Sequence, residues 1–385
     1  MKTLPDNPSI DHVRAQAKDL LAGLRDSAPE TTLAQAQASL ARLYGFPTWT
    51  ALKAEVDRRR DSADVADPGL ARRLAYRFDL GTPTAPMRSV ARPDDSGRAW
   101  HLQTDRGRWL VRTFDTAHWI VPPETDVALQ EAAARAGVRL PAPKRSRTEE
   151  ILEEIDGQTW RAYEWANAGP PLAPPVSADV ARQIGETLAI VHGLELAVDR
   201  ICPWHSRRVS EEPWHDTAAR VKASGASWAD AMADAAACLE DLEQIGAEAS
   251  PPAPVLTHNN LGPANVRIGP DGRVVVLDWW HAGGQPPAWE LAEALLHWVP
   301  GNERGTRALI AGYMAGAGSE PGLELASFRG AVVSLANYIH GQVGLALRAT
   351  GAEDRRYTER NVRHVLASPP TRADLERLLE VATSA

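Results

Sequence analysis

Cysteine is nearly absent from this 385-residue chain. Cys202 and Cys238 are its two thiols, and neither sits at a metal-binding or redox-motif spacing. That argues against a disulfide-stapled scaffold and fits a reducing cytoplasm. No apolar run reaches 18 residues, so no membrane partner is expected, and the opening MKTLPDNPSID lacks the apolar core of a signal peptide. A basic run suited to nucleic acid is also missing. The formal net charge is −8, which is compatible with a cationic small-molecule partner but is ordinary for a globular protein. There is no internal repeat and no low-complexity tract. With 44% hydrophobic and 24% charged residues, the chain has the length for two domains, or for one bilobal domain with an extra module.

The most structured signal lies between positions 255 and 280, VLTHNNLGPANVRIGPDGRVVVLDWW. It reads as a short buried strand, a loop over 258–265, and a hairpin whose β-rich runs, 266–268 and 274–277, flank the turn Gly269-Pro270-Asp271-Gly272. Asp278 ends the second strand, where a carboxylate can leave the sheet for a site. The bland alternative is a turn-rich loop holding an incidental His and Asn.

This stretch resembles the kinase catalytic loop, H-x-D-x-x-x-x-N followed by a metal-binding Asp. It is most similar to the aminoglycoside phosphotransferase and choline kinase branch, where the metal Asp is followed by Trp, as in Asp278-Trp279. The resemblance covers roughly residues 75–345, with the specific motifs between 255 and 292. It implies an α+β, bilobal protein-kinase-like fold, with ATP (or GTP) and Mg²⁺ as cofactors and a small-molecule hydroxyl as acceptor. It also implies that His258 braces the loop and that Asn265 and Asp278 hold Mg²⁺. One position departs from the pattern: the catalytic Asp falls on Asn260. An amide does not accept a proton as a carboxylate does.

Residues 1–60 read as a separate helical module. Asp11 caps a first helix, Thr31 or Thr32 a second and Thr48 a third. YGFPTWTALKAEV resembles a small three-helix module found ahead of other bacterial domains. A packing or partner-docking role is expected for it, and residues 61–69 are expected to be a polar linker. Residues 70–165 read as a small β-rich lobe with strands at 99–103 and 108–114 and a helix at 127–137. Arg112 stands at the place of the family's phosphate-pairing Lys; the alternative is a solvated strand Arg. Its helix carboxylate would be Glu124 or Asp126, with Asp126 preferred. Glu164, Trp165 and Ala166 lie where the interlobe hinge would offer its backbone to a nucleobase. No G-x-G-x-x-G occurs in this lobe.

Residues 166–385 read as the helical lobe, with helices at 178–194, 216–245, 304–317, 321–349 and 371–382. His192 and Glu290 are assigned structural roles, Glu290 replacing an Asp that steadies the loop. The irregular stretch 202–214 is either a substrate rim or an ordinary loop. Three functions remain open on sequence. The chain is a phosphotransferase altered at its base, naturally or by engineering; or a nucleotide-binding pseudokinase with a scaffold or regulatory role; or a fold turned to other chemistry.

Overall fold

The structure, a computed structural model, describes residues 4–5, 8–59, 63–90, 97–114, 120–318 and 322–384. Its first three helices are α1 (Ile10–Ser27), α2 (Leu33–Leu43) and α3 (Trp49–Arg58). Thr32 and Thr48 cap α2 and α3 as expected, Thr32 in a full capping box with Gln35. The first cap differs: Ser9 holds that position and Asp11 lies inside the first turn. Val13, Ala17, Leu20, Leu40, Leu52 and Val56 recur at helical spacing and close a small core.

That core is not self-contained. Ala173, from far along the chain, is part of it. Gly23 packs so closely that a Cβ there would lie 2.0 Å from the Pro175 carbonyl oxygen. The module therefore docks on the helical lobe instead of standing apart. The expected linker also differs. Ala66 donates to the Met87 carbonyl at 3.0 Å and Ser89 to that of Asp64 at 2.9 Å, so this segment joins the sheet edge. A helix not foreseen, α4 (Pro68–Arg77), follows it, capped by Asp67.

The small lobe is built on a mixed-length antiparallel sheet: β1 (Arg88–Ser89), β2 (Ala99–Thr104), β3 (Gly107–Phe114), β4 (Pro143–Lys144), β5 (Glu153–Ile155) and β6 (Gln158–Glu164), ordered β1-β2-β3-β6-β4 with β5 also on β6. Side chains alternate faces along a strand. Val111, Trp160 and Ala162 turn toward Leu74 of α4 and Phe78 just after it. In the β3–β6 register Arg112 lies opposite Arg161, so the two share the other face. The helix α5 (Pro123–Arg135) starts four residues earlier than its periodicity suggested, because Pro123 takes its first turn.

The helical lobe holds α6 (Ala178–His192), α7 (Pro203–Ser206), α8 (Trp214–Ala223), α9 (Ala229–Glu243), α10 (Pro287–Trp298), α11 (Glu303–Ala317), α12 (Arg329–Arg348), α13 (Ala352–Leu366) and α14 (Arg372–Thr383). The expected single helix over 216–245 is two, separated at Gly225, whose φ of +70° a right-handed helix cannot hold. Two short antiparallel pairs carry the site: β7 (Val255–Thr257) with β10 (Gly283–Gln285), and β8 (Val266–Ile268) with β9 (Val274–Val276). No helix among the described residues is long and apolar enough to cross a membrane.

Candidate active site

The loop between β7 and β8 is fixed by one imidazole. His258 donates from Nε2 to the Leu277 carbonyl at 2.9 Å and accepts the Asn260 N–H on Nδ1 at 3.3 Å. Those two bonds select the neutral tautomer protonated on Nε2. Burial lowers the His258 pKa and so favours the same neutral form. The ring thereby ties the loop to the residue just before Asp278. Asn265 closes the loop from the other side: its Nδ2 donates to the Asn260 carbonyl at 3.0 Å, and its own carbonyl accepts from Leu277 N–H at 2.8 Å.

Glu290, on α10, steadies the same loop from behind. It accepts from Asn259 N–H at 3.0 Å, from the Thr257 hydroxyl, and from His192 Nε2 at 2.8 Å. The other nitrogen of His192 meets the Tyr313 hydroxyl at 3.1 Å. Both residues are buried, and their places match the structural roles read from sequence.

Asp278 adopts left-handed backbone, φ 67° and ψ 47°, which an Asp tolerates better than most residues and which turns its carboxylate out of the hairpin. Its Oδ1 accepts from Arg112 NH1 at 2.5 Å and from the Trp280 indole at 2.9 Å. Burial opposes the charge, but the Arg112 guanidinium outweighs it and holds the carboxyl below its ordinary range. A carboxylate oxygen of Asp278 and the amide oxygen of Asn265 are hard donors of the kind Mg²⁺ takes, and Asn265 spends its Nδ2, not that oxygen, on the loop.

The helix partner of Arg112 is a correction. Asp126 accepts from Arg161 NH1 at 2.9 and 3.0 Å and from Gln130 at 2.9 Å, while Arg112 reaches Asp278. The reason is register: Arg161 lies one strand beyond Arg112, over α5. Its guanidinium is fully buried, bonded also to the Tyr163 hydroxyl at 3.0 Å. Sequence reading missed Arg161, although a charge inside the apolar run Trp160-Arg161-Ala162-Tyr163 was a signal for a buried ion pair. Glu124 lies in the first turn of α5, near Asp126. At the end of β6, Trp165 N–H is given to the Arg108 carbonyl at 3.0 Å. Glu164 is exposed there, and Ala166 follows outside the sheet.

Asn260 is exposed and opens, with Trp280 and His281, onto a cavity of about 1290 Å³. The stretch 202–214 forms part of its wall through Cys202, Trp204 and His205. There His205 Nε2 stands 3.3 Å from Glu293, which also accepts from Gln285 at 3.1 Å. Burial works against the His205 imidazolium, but Glu293 and Cys202 raise its pKa to about 10; burial likewise opposes the Glu293 carboxylate, but His205 lowers it to about 2. Sequence reading missed this buried ion pair. Its members lie on different elements, and the one hint was a second Glu one helical turn after Glu290.

The sequence pattern of the phosphotransferase enzyme family matches residues 90–330. No curated protein matches the chain. Among solved structures, a spectinomycin phosphotransferase in complex with ADP and spectinomycin superposes with a TM-score of 0.61 at 13% identity, over 82% of this chain and 98% of that one. A microcompartment-associated aminopropanol kinase gives 0.52 at 16%, with the same coverage. An amicoumacin kinase in complex with AMP-PNP and Ca²⁺ gives 0.51 at 12%, over 82% and 96%. At such identities the likeness is one of fold: small β-rich lobe, larger helical lobe, and here a helical module in front.

Proposed function

Because this chain belongs to the phosphotransferase enzyme family, we propose that it transfers a phosphoryl group from ATP or GTP to a hydroxyl of a small molecule. The observation that carries this reading is the brace at His258, which joins Asn260, Asn265 and the approach to Asp278 in one hydrogen-bonded unit, with Asn260 at the cavity wall. Asn265 and Asp278 would hold the Mg²⁺, which when bound offsets phosphate charge. Arg112 offers a planar fork to phosphate. The Ala166 N–H, which no described residue accepts, would meet the nucleobase beside Glu164 and Trp165. Asp126 acts through Arg161, fixing α5 on the sheet behind Arg112. Asn260 would orient the acceptor hydroxyl by hydrogen bond. Residues 70–165 then serve as the nucleotide lobe and 166–385 as the acceptor lobe, in a cytoplasmic protein. The exposed carboxylates Glu303 and Asp374 on the cavity wall suit an acceptor with a cationic group.

A ligand bound only by the native state raises its stability, by about 2.7 kcal/mol at a hundredfold excess over Kd. Mg·ATP is expected to raise the melting temperature of the wild type, and Asp278→Ala to abolish the rise. An unmoved wild type at millimolar Mg·ATP would sink the proposal. The second reading, a nucleotide-binding pseudokinase with a scaffold or regulatory role, rests on Asn260. It expects the same thermal shift, no turnover on any acceptor, and a protein partner at residues 1–60.

A further inference from the structure

The segment between β6 and α6 is a strap with two sides. On one side its amides go to the active-site half of the helical lobe. Gly169 N–H donates to Ile268 at 2.8 Å, Leu172 N–H to Pro263 at 3.1 Å, and Val176 N–H to Trp298 at 3.0 Å. The Trp298 indole in turn donates to the Leu261 carbonyl at 2.8 Å. Leu261 and Pro263 belong to the loop that holds Asn260 and Asn265.

On the other side the strap is held by the N-terminal helices. Gln16 Nε2 donates to the Pro171 carbonyl at 2.6 Å, and Ala173 is buried in the module's core. Asn302 Nδ2 bridges the Gly23 and Val176 carbonyls at 3.3 and 3.0 Å. Asp26 accepts the Ala178 N–H at 2.7 Å, supplying a cap to α6 from outside the lobe.

One pair of these bonds shares a single peptide unit. The Pro171 carbonyl and the Leu172 N–H are two ends of one planar group and point in opposite directions. Gln16 holds one end and Pro263 the other. Tilting that plane to lose either bond weakens both. Gln16 itself is buried and has both amide atoms engaged, since the Tyr44 hydroxyl donates to its Oε1 at 2.7 Å. A polar side chain buried at that place costs free energy unless both bonds form, so its orientation is fixed.

We propose that the N-terminal module is the back support of the catalytic loop, and that Gln16 is a positioning residue acting through the 171–172 peptide on Pro263. The inference takes from the proposed function only the identity of the loop as catalytic. It turns the packing or partner-docking role expected of the module into one whose loss reaches the site.

Two variants of the full chain separate the bonds. Gln16→Glu keeps the acceptor for Tyr44 and, with exchange run at alkaline pH where its carboxyl is ionised, removes the donor to Pro171. Tyr44→Phe does the reverse. Hydrogen exchange followed by mass spectrometry on both, with Val56→Ala as a module-core control, reads the effect without any substrate. Gln16→Glu is expected to speed exchange across 169–178 and 258–265 by about tenfold or more, with Tyr44→Phe well behind it and Val56→Ala confined to residues 4–59. Exchange at 258–265 that stays at the wild-type rate in Gln16→Glu overturns the proposal, and so does a rise there equal in Val56→Ala. ATP consumption adds a second readout, with a lower kcat at unchanged KM for ATP expected from Gln16→Glu. If no variant and no wild type consumes ATP, the phosphotransferase reading has failed, and the exchange result still decides this one.

Discussion

Asn260→Asp restores a carboxylate where the family's proton acceptor stands, and the structure limits what else it changes. Among the described residues, the hydrogen bonds at residue 260 are made by its backbone: the N–H to His258, and the carbonyl from Asn265 Nδ2 and from the Gly262 N–H. The side chain is exposed to the cavity, so a charge there keeps its hydration. Asn and Asp are nearly isosteric, and the stability change should stay within about 0.5 kcal/mol. The effect on chemistry is far larger. General-base assistance is worth roughly 10²–10⁴-fold, or about 2.7–5.4 kcal/mol of barrier at 1.36 kcal/mol per tenfold. The assay is ATP consumption by wild type and variant against a panel of acceptors that includes aminoglycosides, with hydrolysis to water as the weaker proxy. A gain on the order of 10²-fold is expected. If the wild type already turns over as fast, position 260 is not the missing base. If the variant keeps its Mg·ATP thermal shift and gains nothing, the pseudokinase reading replaces the phosphotransferase one.

Two further predictions concern buried charge. Arg161→Met strands Asp126 without its cation, which should cost about 3–5 kcal/mol in urea unfolding, and Asp126→Leu in the same chain should recover much of it; a loss below about 1 kcal/mol would show that Asp126 is not carrying its charge. For His205 and Glu293 the signs run oppositely. The raised His205 pKa adds stability that is whole below pH 6.5 and lost as pH climbs through about 10, while the lowered Glu293 pKa adds stability that is whole above pH 4.5 and lost as pH falls through about 2. The stability gap between wild type and Glu293→Gln should therefore peak between pH 4.5 and 6.5 and shrink toward pH 10; a gap that stays constant to pH 10 contradicts this.

The parts legible in the sequence are those whose causes are local. Thr32 and Thr48 cap helices within three residues of themselves, and the hairpin after Asn265 follows from a turn between two β-branched runs. His258, Asn265 and Asp278 are brought together within one such unit, so their spacing carried the information. The partner of Asp126 lies 35 residues away and depends on which strand passes over α5. The docking of the first helices depends on Gln16 and Pro171, 155 residues apart. No periodicity records a contact of that kind. The helix α13 escaped for a different reason: its sequence, AEDRRYTERNVRHVL, is polar almost throughout, and the few apolar positions Val362 and Leu366 are what its packing uses.

The bond between Arg112 and Asp278 bears on how the proposed site would load. It crosses between the lobes, from β3 to the end of β9, and joins the residue proposed for phosphate to the residue proposed for the cation. For a nucleotide arriving with its cation, each of the two residues would find a new partner of the same sign as the one it gives up. Arg112 would exchange a carboxylate for a phosphate, and Asp278 would exchange a guanidinium for a divalent ion. Neither charge, the buried Arg112 nor the partly buried Asp278, would be left unpaired by such an exchange, which is where a buried ion would otherwise cost most. Arg112 holds the carboxyl below its ordinary range, so no proton would have to leave on cation binding. An Arg in place of the usual Lys is suited to this exchange, because its fork fits carboxylate and phosphate alike. The departure at Arg112 is therefore compatible with nucleotide binding on physical grounds. No equivalent argument exists for Asn260, since an amide has no second state in which it holds the acceptor's proton. The two departures from the family pattern thus differ in kind: the first changes how charge is paired, the second removes a proton acceptor, and comparing the turnover of Asn260→Asp with that of the wild type is what separates the two proposed readings.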